Sequence, residues 1–557
     1  MDIQPNSLKR PLPWEKHYPS YLTWDQEISI GTVPSLLEQA AAKYGDRPAI
    51  EYRDREISFN ELARLVDRMA AGMMRFGIGG GSKVALFLPN TPWHSVCFFA
   101  CLKAGATVVH LSPLDAPREL VHKVMDSGAE VVVTTCLAGM GNGAAKFVEM
   151  GFAKHLFIGE DQYWGGPAPA EPLPYAENIT NIADLLTDEL PASWPELNVN
   201  DVALLQYTGG TTGLAKAAMI SHANITAATS IFASGRDAAR TPPGGERVIA
   251  VLPMFHIYAL GVILLLNIAE GNLTLLRPRF DLATTIRDIE EKRATIFPAV
   301  PTMLIALLNV PGIETHDFSS LTTVGSGGAP MPHEVTMTVE GLIKQRLAGG
   351  WGMTETVAVG TSIPETVTSR PGLIGAPLPH VELKIVDIND ATKDLGVGER
   401  GELAIRGPNV FGGYHNQEEL NKTQFVNGFF LTGDVGHMDE DGLFYIVDRK
   451  KRMIISGGFN VYPNMIENAI FEHPDVEEVI VIGVPDQYRG ESAKAFVKLI
   501  TGRPEFDIDE LRSFLIDKVG KHELPTAVEF RAELPKSPVG KLLANVLVEE
   551  ERARAAG

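Results

Sequence analysis

DVALLQYTGGTTGLAKAAMIS, residues 201–221, divides into an apolar run, a glycine/threonine loop, a second strand-like run and a serine placed to cap a helix. Asp201 to Tyr207 predicts a buried strand. The loop follows without a break: Thr208, Gly209, Gly210, Thr211, Thr212 and Gly213, with Lys216 just beyond it. Glycines let backbone N–H groups converge on an anion, threonine hydroxyls add donors and the lysine adds charge, so the composition is that of a phosphate cradle. It is not a Walker A loop, because no G-x-x-x-x-G-K-[ST] occurs in the chain and the loop leads into a strand rather than a helix. A hairpin tip without a ligand has the same composition. The reading therefore depends on what the rest of the chain supplies.

Working outward, Thr32 and Pro34 open an amphipathic stretch that Gly45 closes. Ser58 with Glu61 makes a capping-box signature before Leu62, Leu65, Val66, Met69, Met73 and Phe76. Short β-branched runs at Val84–Leu88, Val108–Leu111 and Val131–Thr134 alternate with helical segments, which predicts α/β layers on parallel sheet. The Pro-rich, acidic segment from about Gly165 to Pro195 reads as a surface excursion, and Thr241–Gly245 as a second loop. After Asp448, the basic cluster Arg449, Lys450, Lys451 and Arg452 precedes a β-rich, then αβ, segment. The main boundary is placed there, with a large domain at 1–448 and a small one at 449–557.

Bulk properties narrow the partners. The 557 residues carry 49 basic and 69 acidic side chains, net −20, a surface that repels polyanions and argues against nucleic acid. Any phosphate site must then be local. Cys97, Cys101 and Cys136 form no metal or redox spacing, and a reducing cytoplasm suits them; Cys97 and Cys101, one helical turn apart beside Phe98 and Phe99, are expected to pack in a core. No secretory h-region opens the chain. The longest apolar run, Tyr258–Ala269, falls short of the roughly 20 residues needed to span a bilayer. Peripheral contact with the inner face of a membrane and a homodimeric assembly stay open as candidates.

Tyr207 to Lys216 resembles the signature of the adenylate-forming superfamily of acyl-CoA synthetases, luciferases and adenylation domains, and within it the bacterial long-chain fatty acyl-CoA ligases. Gly210, Ala215 and Ala217 stand where Ser, Pro and Gly are usual. Further motifs follow in order. Gly325–Pro330 (GSGGAP) resembles the adenine-binding turn and implies nucleotide contacts from Gly328, Ala329 and Pro330. Trp351-Gly352-Met353-Thr354-Glu355 resembles Y-G-x-T-E, which implies Thr354 at the α-phosphate, Glu355 as the Mg²⁺ ligand, and Trp351 keeping a stacking surface without the phenol. A single carboxylate with phosphate oxygens and water is a donor set that Mg²⁺ favours. Asn427–Lys451 (NGFFLTGDVGHMDEDGLFYIVDRKK) resembles the fatty acyl-CoA synthetase signature, implying Asp434 and Arg449 at the ribose and Lys451 at an interdomain hinge.

Leu534–Lys541 resembles the P-K-T-x-S-G-K loop and implies Lys541 as the catalytic ammonium of adenylation; Val539 and Ala544 depart from the usual Ser and Arg. Gly457, Gly458 and Phe459 sit in a segment resembling the lining of the CoA tunnel. His256, in Pro253–Tyr258, resembles the aromatic/His motif beside the acyl carboxylate. The resemblance implies a large N-terminal domain of layered α/β subdomains with a β-barrel-like part, plus a small mobile α+β C-terminal domain. It also implies ATP, Mg²⁺ and CoA as cofactor and cosubstrates.

The implied reaction is activation of a medium- to long-chain fatty acid through an acyl-adenylate, then transfer to CoA. Ala259–Leu266, with Val300, Met303 and Leu304, would wall an alkyl tunnel in which each buried CH₂ contributes ~0.8 kcal/mol. An ω-carboxylate there would need a cation or donor, and none stands in that stretch, which disfavours dicarboxylates. Leu260 stands where some long-chain members carry a gating Trp. Alternatives are an acyl-AMP ligase loading a carrier protein, a dicarboxylate-CoA ligase, and a silent acyl or nucleotide sensor, the last opposed by the presence of Lys541 and Glu355.

Overall fold

The computed structural model describes residues 10–165, 176–208, 215–236, 242–328, 331, 333–456, 459–536 and 542–556. Local signals set the first helices. Val33–Tyr44 starts after Thr32, with Pro34 in its first turn, and stops at Gly45, whose φ is +57°. Phe59–Arg75 is capped by the Ser58 side chain, which accepts from the Glu61 N–H at 3.1 Å. The reciprocal half of the expected box is missing because Glu61 turns to Arg55 instead, 2.8 Å away.

The predicted β-branched runs become Lys83–Leu86, Thr107–His110 and Val131–Thr135, neighbouring parallel strands of a seven-stranded sheet. Across that sheet the order is Ile179–Asn181, His155–Gly159, Val131–Thr135, Lys83–Leu86, Thr107–His110, Val202–Thr208 and Lys216–Ser221. Only the last pair is antiparallel. Ile179–Asn181 and the short helix Ile182–Leu185 lie inside the segment read as a surface excursion. Buried Ile182 and Leu185 anchor it, while an open sheet edge accepts the strand.

A second seven-stranded sheet runs Leu347–Ala348, Thr323–Ser326, Ile296–Ala299, Arg247–Ala250, Leu273–Leu276, Pro48–Tyr52 and Arg55–Ser58, again parallel except at its last pair. The helix Pro92–Lys103 is buried along all 12 residues, the sign of an element enclosed on every side, and it takes Cys97 and Cys101 into the core as expected. Lys103 is neutralised at its end by Asp67 and Glu38.

The barrel-like part is an antiparallel sheet of eight strands that does not close. It runs from Gly350–Trp351 through Thr361–Ser362, Leu373–Pro377, Phe444–Arg449, Phe429–Met438 and Gly401–Arg406 to Glu382–Val386, with Phe425–Val426 alongside. A fourth sheet, centred on Val476–Asp486 and Gly490–Leu499, has its own apolar core with the helices Pro463–Phe471 and Ile508–Leu515. Among the described residues no helix is long and apolar enough to cross a membrane.

Candidate nucleotide and acyl site

Val202–Thr208 and Lys216–Ser221 form a hairpin whose last described pair is Thr208 with Lys216. Its tip, with Gly209, Gly210, Thr211, Thr212 and Gly213, lies outside the described residues. Ser221 ends the second strand and caps the helix His222–Ser234 in a box with Asn224, so hairpin and helix are one continuous device. Lys216 is half-buried, and burial holds its ammonium below the usual lysine range. Lys451 pushes it further down and Glu355 partly restores it, so these three charges share one space.

Gly350–Trp351 leads to Gly352 and then a short helical turn, Thr354–Thr356. Glu355 is buried, and burial pushes its carboxyl above the usual range. The Tyr414 hydroxyl opposes this by donating to Glu355 Oε1 at 2.6 Å, as does the more distant Arg449 charge. Among the described residues Glu355 makes no ion pair, so a buried carboxylate faces the site with one oxygen held by a phenol. Tyr414 also puts its ring 5.7 Å from Lys216 Nζ. It can do so because residues 412–415 run antiparallel beside the strand after the hairpin: Met219 N donates to Gly413 O, and His415 N to Ala217 O, each at 2.9 Å.

The third group is Asp434, Arg449 and Trp351. Phe429–Met438 and Phe444–Arg449 pair so that Asp434 lies opposite Arg449. Arg449 Nε meets Asp434 Oδ1 at 2.5 Å, and Trp351 Nε1 donates to Asp434 Oδ2 at 2.9 Å. The indole fits closely because Gly360 has no side chain; a Cβ there would stand 2.5 Å from Trp351 Cε3. Glu402 supports this group from behind, accepting from Gly433 N at 3.0 Å with one oxygen and holding Lys450 Nζ at 2.7 Å with the other. Lys451 is exposed in the turn Lys450–Arg452.

Just before the apolar stretch Ala259–Leu265, His256 is half-buried, and its Nδ1 accepts from Tyr258 N at 3.3 Å. Its segment is clamped from the other sheet. Gln206 Nε2 donates to Phe255 O at 2.9 Å, and Asn90 bonds Leu252 O and Met254 N, both at 2.8 Å. Tyr258 packs against the Gly325–Gly328 turn so closely that a Cβ on Gly327 would lie 2.9 Å from the ring. Gly328 borders Val300, while Ala329 and Pro330 lie outside the described residues. Ala259–Leu265 is π-helical, a geometry concentrated at functional sites, and Leu260 is fully buried within it.

Two predicted groups remain. Lys541 lies outside the described residues; the described residues on either side of 537–541 are joined by a bridge between Lys536 and Leu542 and by Leu543 N donating to Pro535 O at 2.8 Å. Lys536 is anchored to Glu478 at 2.5 Å. Gly457 and Gly458 also lie outside; they join Ser456 to Phe459, an exposed ring whose centroid is 5.0 Å from that of His522, the two planes tilted by 37°. The sequence reading missed Tyr414, Glu402, Gln206 and Asn90. None stands in a motif that announces its chemistry, and each acts on a residue distant in the chain.

A strand hairpin, a buried carboxylate beside a half-buried lysine, and an Asp–Arg–Trp cluster stand in an α/β fold, which similarity to known proteins identifies as that of a nucleotide-binding enzyme. The profile "AMP-binding enzyme" matches residues 37–415, and "AMP-binding enzyme C-terminal domain" matches residues 465–541. The chain belongs to the AMP-binding enzyme family. It is 34% identical over 559 residues to a long-chain-fatty-acid–CoA ligase of Bacillus subtilis (strain 168), covering 97% of this chain and 98% of the relative. Among solved structures it is similar to ATP-bound MatB from Rhodopseudomonas palustris, with TM-score 0.82, 28% identity, and 93% and 99% of the two chains covered. It is also similar to O-succinylbenzoate coenzyme A synthetase (MenE) from Bacillus subtilis in complex with ATP and magnesium ion, with TM-score 0.77, 27% identity, and 92% and 99% covered.

Proposed function

We propose that this chain is an ATP-dependent, AMP-forming ligase that activates a medium- to long-chain fatty acid and transfers it to CoA. The observation that carries the reading is the convergence of Lys216, Glu355 and the Asp434–Arg449–Trp351 cluster beside the Thr208–Lys216 pair, the last described pair of the hairpin. The near full-length similarity to a long-chain-fatty-acid–CoA ligase supports the choice of acid.

A free carboxylate repels nucleophiles and has no good leaving group. Its attack on the α-phosphorus of ATP forms an acyl–phosphate bond and expels pyrophosphate. A thiolate then attacks the acyl carbon and expels AMP. In this reading the hairpin amides and Lys216 hold the phosphates, Thr354 bonds the α-phosphate, and Asp434 and Arg449 hold the ribose against Trp351. Gly328, Ala329, Pro330 and Gly352 give backbone close to the base. Glu355 fits a hard cation, since a buried carboxylate with an uncommitted oxygen needs a positive partner and phosphate oxygens complete the shell. Mg²⁺ there would neutralise charge on the phosphate oxygens. Lys541 brings an ammonium to the developing charge at phosphorus. His256 orients the acyl carboxylate at the mouth of the Ala259–Leu266 wall.

The domain division at 448/449 is part of the proposal. The two profile matches leave residues 416–464 between them, and the strand Phe444–Arg449 passes there into the Lys450–Arg452 turn. Lys451 would be the pivot, and Gly457, Gly458 and Phe459 would line the thiol's path.

The decisive assay is pyrophosphate release with ATP across straight-chain acids from hexanoate to octadecanoate and the matching dicarboxylates, with and without CoA. The expected result is acid-dependent release, with acyl-CoA formed only when CoA is added. Absence of release with every acid overturns the proposal. Accumulation of acyl-adenylate despite CoA moves the reading to a carrier-protein loader.

A further inference from the structure

Immediately after Glu355 the backbone turns through two consecutive left-handed residues, Val357 at φ 53° and Ala358 at φ 61°. Left-handed backbone is unfavourable for any L-residue with a side chain and worst for a β-branched one, so the turn persists only where the surroundings impose it. Asn409 is what spans it. This side chain is fully buried, and its Nδ2 donates to Thr356 O at 2.8 Å and to Val359 O at 2.9 Å, bracketing the two strained residues. Two residues on, Phe411 N donates to Glu355 O at 2.8 Å.

Asn409 is itself held. Asn224 Nδ2 donates to the carbonyls on both sides of it, Pro408 O at 2.8 Å and Val410 O at 2.9 Å. Asn224 Oδ1 accepts from Ser221 N at 3.0 Å, at the end of the strand that leaves the phosphate hairpin. The two amides therefore form a covalently unlinked but continuous path from the hairpin to the backbone turn that follows Glu355.

We infer that Asn409 is a positioning residue for adenylation, which closes the Val357–Ala358 turn and so fixes Thr354 and Glu355 relative to the phosphate hairpin. The inference rests on the proposed roles of Thr354 and Glu355. It adds that their placement is held against backbone strain by one side chain, and that relaxing the strain substitutes in part for that side chain.

The test uses the full-length protein as wild type, Asn409→Ala, Ala358→Gly and the double variant. Ala358→Gly removes one methyl and the left-handed penalty together. Asn409→Ala is expected to lower kcat for acid-dependent pyrophosphate release about 10- to 100-fold, as displacement of reacting groups by about 1 Å does, with the KM for fatty acid little changed. It should also speed amide hydrogen exchange in the 353–359 segment. The double variant should recover roughly 5-fold in kcat, the scale of one left-handed L-residue, and slow the exchange again. The inference is overturned if Asn409→Ala leaves exchange in that segment at the wild-type rate, or if Ala358→Gly recovers neither kcat nor exchange. Should wild type release no pyrophosphate with any acid, the proposed function fails, while the exchange comparison still decides whether Asn409 holds the turn.

Discussion

Replacing Tyr414 by Phe removes one oxygen and leaves the ring beside Lys216 in place. What is lost is a 2.6 Å hydrogen bond to a carboxylate that is 5% exposed. Bonds to charged groups contribute about 1.5–3 kcal/mol, so losing this one raises the Glu355 carboxyl further. Burial already holds this carboxyl above the usual range, with Tyr414 working in the opposite direction. A carboxyl raised on folding contributes stability below its unfolded pKa and loses it as pH rises through the folded value. Tyr414 limits that loss. The Tyr414→Phe variant should therefore melt close to wild type below about pH 4, where the carboxyl is protonated in both states, and fall progressively further below it as pH rises. If Glu355 must be ionised to work, the acidic limb of kcat/KM for pyrophosphate release should move to higher pH. Melting curves and pH–rate profiles of the two proteins read both effects. A melting difference that is the same at every pH, together with an unmoved acidic limb, would refute the argument, because the hydroxyl would then not be supporting a charge.

Lys541→Ala should lower adenylation by ~10²–10³, as loss of a charge contact made in the transition state does, while thioester formation from supplied acyl-adenylate survives. Equal losses in the two half-reactions would remove Lys541 from its assigned role. Trp351→Phe keeps an aromatic face but deletes the 2.9 Å bond to Asp434. The KM for ATP should rise about 2- to 10-fold, the equivalent of one hydrogen bond, with kcat nearly constant, as measured by steady-state kinetics in ATP. Burial pushes the Cys101 thiol up to about 12 and Cys97 in the same direction. Neither should react with a thiol reagent at neutral pH until denaturant unfolds the chain, and stoichiometric labelling of these two in the native protein would contradict the packing.

How much of this was legible in the sequence depends on the range of the interaction. Ser58 and Ser221 announce helix starts because a cap bonds to a residue three positions on, and Thr32 marks a third start with Pro34 in its first turn and no side-chain cap bond; all three helices begin where those residues stand. The hairpin was legible for the same reason, two strand-like runs flanking a glycine loop. The segment after Gly165 was not. Its polar composition hides a strand, Ile179–Asn181, whose formation depends on an edge offered by His155–Gly159. Asp434 opposite Arg449 could be expected only through resemblance to a known signature, since neither residue alone distinguishes a ligand contact from a turn.

The segment 409–415 is the limiting case. Its sequence, NVFGGYH, shows neither periodicity nor a catalytic pattern, yet from it come the amide that closes the Val357–Ala358 turn, the N–H that holds the Glu355 carbonyl and the phenol on the Glu355 carboxylate. Its other edge pairs with the strand leaving the phosphate hairpin. Each motif found in the sequence therefore supplies a chemical group, while the distance between groups is set by a stretch with no motif of its own. A substitution at Asn409 or Tyr414 consequently acts on the placement of the proposed nucleotide-binding groups without altering any residue of the motifs quoted from the sequence.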